Sequence, residues 1–279
     1  MNKVNNLWLD GGILRDYYSD QADIVLPDFV YEVGSYVFRN MDYIRSVTIP
    51  EGALDIGYGT FSGCTGLTRV VIPDTVQRID MYAFSGCEKL TQLKLPKSLK
   101  ILRDSTFINC TRLREMTIPE NVKKVEFHAF FGCVRLKEIR GLGVTELEDP
   151  IIDQVSKCIF PLIPMEQVES RLMRENLTLG YMTVPELYGE TGQAYADYAV
   201  EKAERLARLS VDYGFSEPLR YLNEHELLQA QWLEELVAKA QERGRADITA
   251  YLLDCKEKHS NLNGDSDDFW DAFDEEFAL

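Results

Sequence analysis

The strongest signal in the chain is a hydrophobic pattern that returns every 23 residues. Proline stands at Pro27, Pro50, Pro73, Pro96 and Pro119, and phenylalanine at Phe38, Phe61, Phe84, Phe107 and Phe130. Three residues after each phenylalanine comes Met41, Cys64, Cys87, Cys110 or Cys133, and three further on Ile44, Leu67, Leu90, Leu113 or Leu136. Val47, Val70, Leu93, Met116 and Ile139 close the units. A fixed period without insertions is the mark of a solenoid, whose single turn cannot bury its apolar side alone. Stacked turns bring equivalent residues to about 4.8 Å, the spacing of neighbouring strands.

Within one unit, "LTRVVIP" (67–73) alternates apolar and outward residues, so it predicts a short strand with one buried face. "TVQRI" (75–79) predicts a second short strand, and "DMYAFSGCEKL" (80–90) a turn or short helical piece that drives Phe84 inward. The proline falls where a strand ends and its missing N–H costs no ladder bond.

The two ends carry different patterns. "LWLDGGILRDYY" near the N-terminus reads as a hairpin turning at Asp10, Gly11 and Gly12, placed to cover the first open edge of the solenoid. Beyond Arg140 the 23-residue pattern decays and helical spacing takes over at 165–182, 192–214, 225–244 and 245–258. In 225–244, Leu228, Trp232, Leu236 and Ala240 line one face, opposite Glu234, Glu235 and Glu242. Gly244 separates the last two segments, which predicts an antiparallel helical hairpin. The expected organisation is a cap (1–21), a solenoid (22–147), a helical domain (148–259) and a tail (260–279).

The repeated unit, "IPxxVxxIxxxAFxGCxxLxxV", resembles the BspA-type bacterial leucine-rich repeat over roughly residues 22–140. The resemblance implies a curved, right-handed parallel β-solenoid of about five repeats, used for protein binding rather than catalysis. With the helical segments, the expected fold is α+β. The first unit writes "FRNM" where later ones write "FSGC", as a terminal, capping repeat would. The family is best known from surface proteins, whereas "MNKVNNLWLDGGILRDYY" lacks a basic start, an apolar core and a cleavage site, which predicts a cytoplasmic protein.

Charge sharpens the division. Residues 1–147 hold 18 basic and 18 acidic residues, and residues 148–279 hold 12 and 28, so the second stretch supplies the whole net charge of −16. An acidic chain argues against nonspecific binding to nucleic acid or to anionic membranes. Residues 85–140 run the other way, with 12 basic against 6 acidic side chains, suited to an acidic partner or to the chain's own acidic half.

Candidate chemistry lies in the columns that vary. Two outward columns flank the buried strand residues: Ser46, Arg69, Gln92, Glu115 and Glu138, and Thr48, Val71, Lys94, Thr117 and Arg140. In a solenoid they form one continuous face, concave if the resemblance holds, and such faces bind partners. A second candidate surface gathers aromatics around the turn: Tyr36, Tyr58, Tyr82 and His128, with Met81 and Phe127 beside them. The cysteine column admits a metal stripe, a redox relay, disulfides or a small apolar filler; with no pair singled out and no zinc spacing, filler is the reading adopted. In the tail, seven acidic residues from Asp265 to Glu276 accompany Phe269, Trp270, Phe273 and Phe277, an acidic aromatic motif for a partner groove, a solubilising tail, or a stripe for the chain's own helices. His128, His225 and His259 sit in no catalytic pattern, and no HExxH, GxSxG or GK[ST] motif occurs. The expectation is an interaction module binding a protein partner, without cofactor, metal or catalysis, with an exported binding protein or an enzyme site in the helical half as alternatives.

Overall fold

A computed structural model of the chain describes residues 2–4, 6–148, 157–168 and 170–264. The chain divides into two compact units, Met1–Tyr181 with Glu186–Ala194, and Met182–Pro185 with Tyr195–Leu279.

The first unit opens with antiparallel strands Asn2–Val4, Leu7–Asp10 and Ile13–Tyr17. The last two meet in a turn whose glycines, Gly11 and Gly12, hold φ of 57° and 87°, where L side chains are strained. Ile13–Tyr17 then pairs in parallel with Glu32–Val33, so the hairpin covers the edge that the first turn would leave open. From there the turns build two parallel ladders. One ladder stacks Glu32–Val33, Asp55–Ile56 and Arg78–Ile79, then Ile101–Leu102, Lys124–Val125 and Glu146–Leu147. The other stacks Asp23–Val25, Ser46–Thr48 and Arg69–Val71, then Glu115–Ile118, Glu138–Gly141 and Lys157–Ile159. The result is a parallel β-solenoid of about six turns, one more than the five repeats expected. Its ladder runs past the decay of the pattern at Arg140, because Lys157–Ile159 still pairs with Glu138–Gly141.

The turn edge makes a third ladder. The amide of Phe38 donates to Thr60 at 2.9 Å, Phe61 to Ala83 at 2.8 Å, Phe84 to Thr106 at 2.9 Å and Phe107 to Ala129 at 2.9 Å. Behind it the five phenylalanines stack with centroids 5.3–5.6 Å apart and ring planes within 11°. Tyr17 of the hairpin caps the stack, tilted by 59° at 5.3 Å from Phe38. All five rings are buried, and each stabilises the fold by roughly 1.5–3 kcal/mol through the apolar surface it removes from water. The prolines open the next tight turn: the carbonyl of Pro50 accepts from Ala53, and that of Pro73 from Val76.

One residue before each Met41 or Cys64 equivalent the backbone is left-handed. Asn40, Gly63, Gly86, Asn109 and Gly132 all have φ between 59° and 75°. Asn40 therefore takes the same conformation as the glycines, and "FRNM" makes a regular turn.

The helices follow. Helix α1 spans Arg171–Tyr181. The single helix expected over 192–214 is two, α2 (Gly192–Glu201) and α3 (Ala203–Tyr213), broken at Lys202 with φ −115° and ψ 20°. Gly214, at φ 80°, ends α3 as a left-handed cap. A helix absent from the sequence reading, α4 (Glu217–Glu224), starts with Pro218 in its first turn, where a missing N–H is harmless. Helix α5 runs only over Ala230–Glu242, so Leu228 is buried in the loop before it; the helix buries Leu233, Leu236, Val237 and Ala240, with Trp232 half-buried. Helix α6 is Ala246–Gly264 and packs on α5, as the expected hairpin requires. Asp212 near the end of α3 receives Lys239 at 2.7 Å and Arg243 at 3.1 Å, tying α3 to α5.

Candidate binding face of the solenoid

The outward columns stand on the second ladder in the register that the period dictates. Ser46 lies beside Arg69 and Thr48 beside Val71. Glu115 lies beside Glu138 and Thr117 beside Arg140. Arg69, Val71, Glu115 and Thr117 are exposed; Ser46 and Thr48 are half-buried, and the Ser46 hydroxyl donates to Asp23. Val25, one period before Thr48 and 78% exposed, extends this face; carrying the column one unit toward the N-terminus finds it.

Gln92 and Lys94 are exposed on the same face, but residues 92–94 join no strand. Both ladders break here: Arg69–Val71 and Arg78–Ile79 end one pair of sheets, and the next begin at Ile101–Leu102 and Glu115–Ile118. The bonds that should cross are missing. Leu26 donates to Thr48 and Ile49 donates to Val71, each at 3.0 Å, yet among the described residues Ile72 makes no such bond to Lys94. The turn edge crosses the same junction intact, through Phe84 and Thr106.

A cavity of about 740 Å³ lies at this break. Arg69, Gln92, Lys94, Lys97, Glu115 and Thr117 rim it, and its floor reaches the inward residues Val70, Leu93 and Leu95. Two of these are slightly uncovered, Val70 at 8% and Leu93 at 7%, against 0% for Val47 and Ile139 in intact parts of the ladder. A second groove of about 590 Å³ adjoins it, sharing Val70 and Lys94 and bringing in Val25, Thr48 and Val71. Asp74 stands between two lysines, 3.9 Å from Lys94 and 3.8 Å from Lys97. The structure thus gathers seven of the ten predicted strand-face residues around two connected depressions and leaves Ser46, Glu138 and Arg140 outside them.

The aromatic candidates split into two clusters. Tyr36 and Tyr58 meet edge-on at 5.2 Å, Tyr58 and Tyr82 at 5.4 Å, and Arg39 covers the Tyr36 ring at 4.9 Å. Gly59 makes this possible, because a β-carbon there would meet the Tyr36 ring at 2.7 Å. Phe127 instead joins His128 at 5.9 Å, and His128 meets Phe131 at 5.6 Å, with the turn of Asp104 and Ser105 between the two clusters. Phe131 and Val134, exposed beside Phe127, were not among the sequence candidates. Phe269, Trp270, Phe273 and Phe277 lie outside the described residues.

The cysteine column is more than filler. Each thiol donates to the carbonyl of a phenylalanine in the preceding turn: Cys64 to Phe38 at 2.9 Å, Cys87 to Phe61 at 3.3 Å, Cys110 to Phe84 at 3.1 Å and Cys133 to Phe107 at 3.1 Å. All four are free and buried. Burial pushes the Cys64 thiol up to about 12 and those of Cys87 and Cys110 well above their ordinary value, so they are poor nucleophiles and poor metal ligands as they stand. Among the described residues no three His, Cys, Asp or Glu side chains gather as a metal site, and no helix is long and apolar enough to cross a membrane.

Residues 17–152 match the family described as "BspA type Leucine rich repeat region", in six copies. No curated protein matches the chain. Among solved structures, the chain is similar to a leucine rich repeat protein of T. pallidum, at 26% identity and a TM-score of 0.47, covering 61% of this chain and 88% of that one. It is also similar to a leucine rich cell surface protein of Faecalibacterium prausnitzii, at 22% identity and 0.45, covering 55% of this chain and 54% of that one. A leucine-rich repeat protein of Bacteroides ovatus follows at 22% identity and 0.36, covering 53% and 50%. The chain spans about half the length of the latter two. By its 23-residue columns, its two parallel ladders and this match, the repeat region of the chain belongs to the BspA-type leucine-rich repeats, with a helical region following it.

Proposed function

We propose that the chain is a binding module that takes a protein partner on the strand face of its solenoid, around Arg69, Gln92, Lys94 and Glu115. Leucine-rich repeats of this family are generally protein-interaction or surface-binding modules, which sets the class. The observation that carries the choice of face is the cavity of about 740 Å³ on columns that vary from turn to turn above an unvarying core. The mechanism is binding by a preformed surface: the ladders and the phenylalanine stack fix the outward side chains beforehand, so association orders little backbone.

The Tyr36, Tyr58 and Tyr82 cluster supports a second reading, in which the turn edge is the binding surface, because Tyr36 remains 47% exposed despite its aromatic neighbour. A capture experiment with two variants separates them. A partner lost on changing Arg69, Gln92, Lys94 and Glu115 to Ala, but kept when the three tyrosines are changed, places binding on the strand face. The reverse pattern moves it to the turn edge.

A further inference from the structure

We infer that the break in the ladders is a recognition site for a short acidic peptide segment carrying an apolar side chain. The inference rests on the strand-face reading above and adds the chemistry of what is bound.

The first observation is that the break and the cavity coincide. Where the ladder is whole, neighbouring turns close over their inward residues, as at Val47 and Ile139. At the break, Val70 and Leu93 show through to the cavity, so a ligand can touch the apolar row as well as the outward columns. A side chain the size of leucine fits a depression of this volume and gains from leaving water.

The second observation is the charge around the opening. Arg69 is exposed, and Lys94 and Lys97 have side chains 78% and 76% exposed, all on the rim. Their acidic neighbours are Glu115 on the same rim, Asp74, which faces both lysines at 3.8–3.9 Å, and Asp28 and Glu51 in the adjoining groove that shares Lys94. Ion pairs that long and that exposed contribute little, so the lysine charges are available to a ligand carboxylate, and the arginine can hold one in a two-pronged bond. Three cations beside an apolar floor match an anionic segment with a hydrophobic residue among its acids.

The third observation selects a short peptide over a nucleic acid. The chain carries a net charge of −16, so a long polyanion is repelled by the whole molecule even where three cations attract it. A segment with two or three carboxylates meets mainly the local field, because charges beyond about 10 Å are screened at ordinary salt.

The test uses the full chain and two fluorescein-labelled heptapeptide pools, one with a fixed Glu-Leu-Glu centre and one with Gln-Leu-Gln, read by fluorescence polarisation at 50 and 200 mM salt. The inference predicts that the acidic pool binds at least about tenfold more tightly, that this preference shrinks at the higher salt, and that changing Arg69, Lys94 and Lys97 to Ala removes it. The Tyr36, Tyr58 and Tyr82 triple variant should bind as the unaltered chain does. Equal binding of the two pools, binding of neither at millimolar protein, or binding of a single-stranded oligonucleotide in preference to the acidic pool each overturns it. A native partner that is lost with the strand-face variant but is indifferent to these charges removes the acidic-peptide inference and leaves the strand-face reading standing. A partner lost only with the tyrosine variant removes both.

Discussion

The side-chain oxygen of Asn109 fills the space above Gly132 in the next turn, where a β-carbon would meet it at 2.1 Å. Asn40 stands over Gly63 in the same way, also at 2.1 Å. A left-handed asparagine in one turn thus demands a glycine in the turn that follows. Gly86, which follows Gly63, has nothing nearer than that residue's backbone at 3.8 Å.

Two alanine substitutions should therefore differ although both glycines are left-handed, Gly86 at φ 68° and Gly132 at 75°. Gly86→Ala meets backbone strain alone, about 1–2 kcal/mol. Gly132→Ala adds the collision with Asn109 and should cost more, and an Asn109→Gly change in the same chain should bring its cost back to that of Gly86→Ala. Urea unfolding of the four variants measures this as a double-mutant cycle. Equal costs for the two alanines would rule out the stacking.

Truncating the phenylalanine stack in its middle should be far more damaging than any surface change. Phe84 lies between Phe61 and Phe107 at 5.3 and 5.4 Å, so Phe84→Ala opens a cavity against both neighbours and should cost about 3–5 kcal/mol. Hydrogen exchange should quicken at the amides of Phe61 and Phe84, which carry the turn-edge ladder on either side. Protection unchanged there would show that the stack does not hold the turns together.

The thiol ladder predicts how stability responds to alkali. Folding raises the values of Cys64, Cys87 and Cys110 above the ordinary thiol value of about 8.5, chiefly by burial. The folded chain then keeps protons that the unfolded chain gives up, so the contribution is complete below about pH 8.5 and is lost as pH rises toward 12. Each such thiol lowers the unfolding free energy by about 1.4 kcal/mol per pH unit within that window. A Cys87→Ala, Cys110→Ala variant should show a shallower decline between pH 8.5 and 10 than the unaltered chain. Iodoacetamide should leave these cysteines unmodified at pH 8 until denaturant is added.

The broken ladder should show itself in exchange as well. Amides of Thr91 and Gln92, for which no bond to the turn before is found among the described residues, should exchange faster than those of Thr68 and Arg69, their counterparts one turn earlier, which donate to Arg45 at 2.9 and 3.2 Å. Similar protection across all of these positions would mean that the ladder is continuous in solution.

The columns were legible because every turn makes the same demands. Phe61 and Phe84 each lie between two stacked phenylalanines, so the same letter recurs, and period alone places them. The break at residues 92–94 hides in that regularity, since Gln92, Leu93 and Lys94 alternate polar and apolar as the other strands do. One sign was there to read: this is the segment without a β-branched residue, whereas its counterparts carry Ile24, Val47, Val70, Thr117 or Ile139. The hydrogen bonds of the cysteines were not legible, because a small residue under a turn and a thiol aimed at a carbonyl leave the same pattern. Pro218 marked the start of α4, but eight residues give too little period to separate a helix from a loop. The strand-face residues are legible by column; their gathering around two connected depressions depends on the break, which the columns do not show.

The most direct test of the strand face as the binding surface is site-specific photocrosslinking in the native cell lysate, with a photoreactive residue at Gln92 in one chain and at Tyr82 in another. The account predicts a discrete crosslinked protein from position 92 that disappears when Arg69 and Lys94 are changed to Ala, and none from position 82. A crosslinked protein from position 82 alone, or one from position 92 that is indifferent to Arg69 and Lys94, would contradict it.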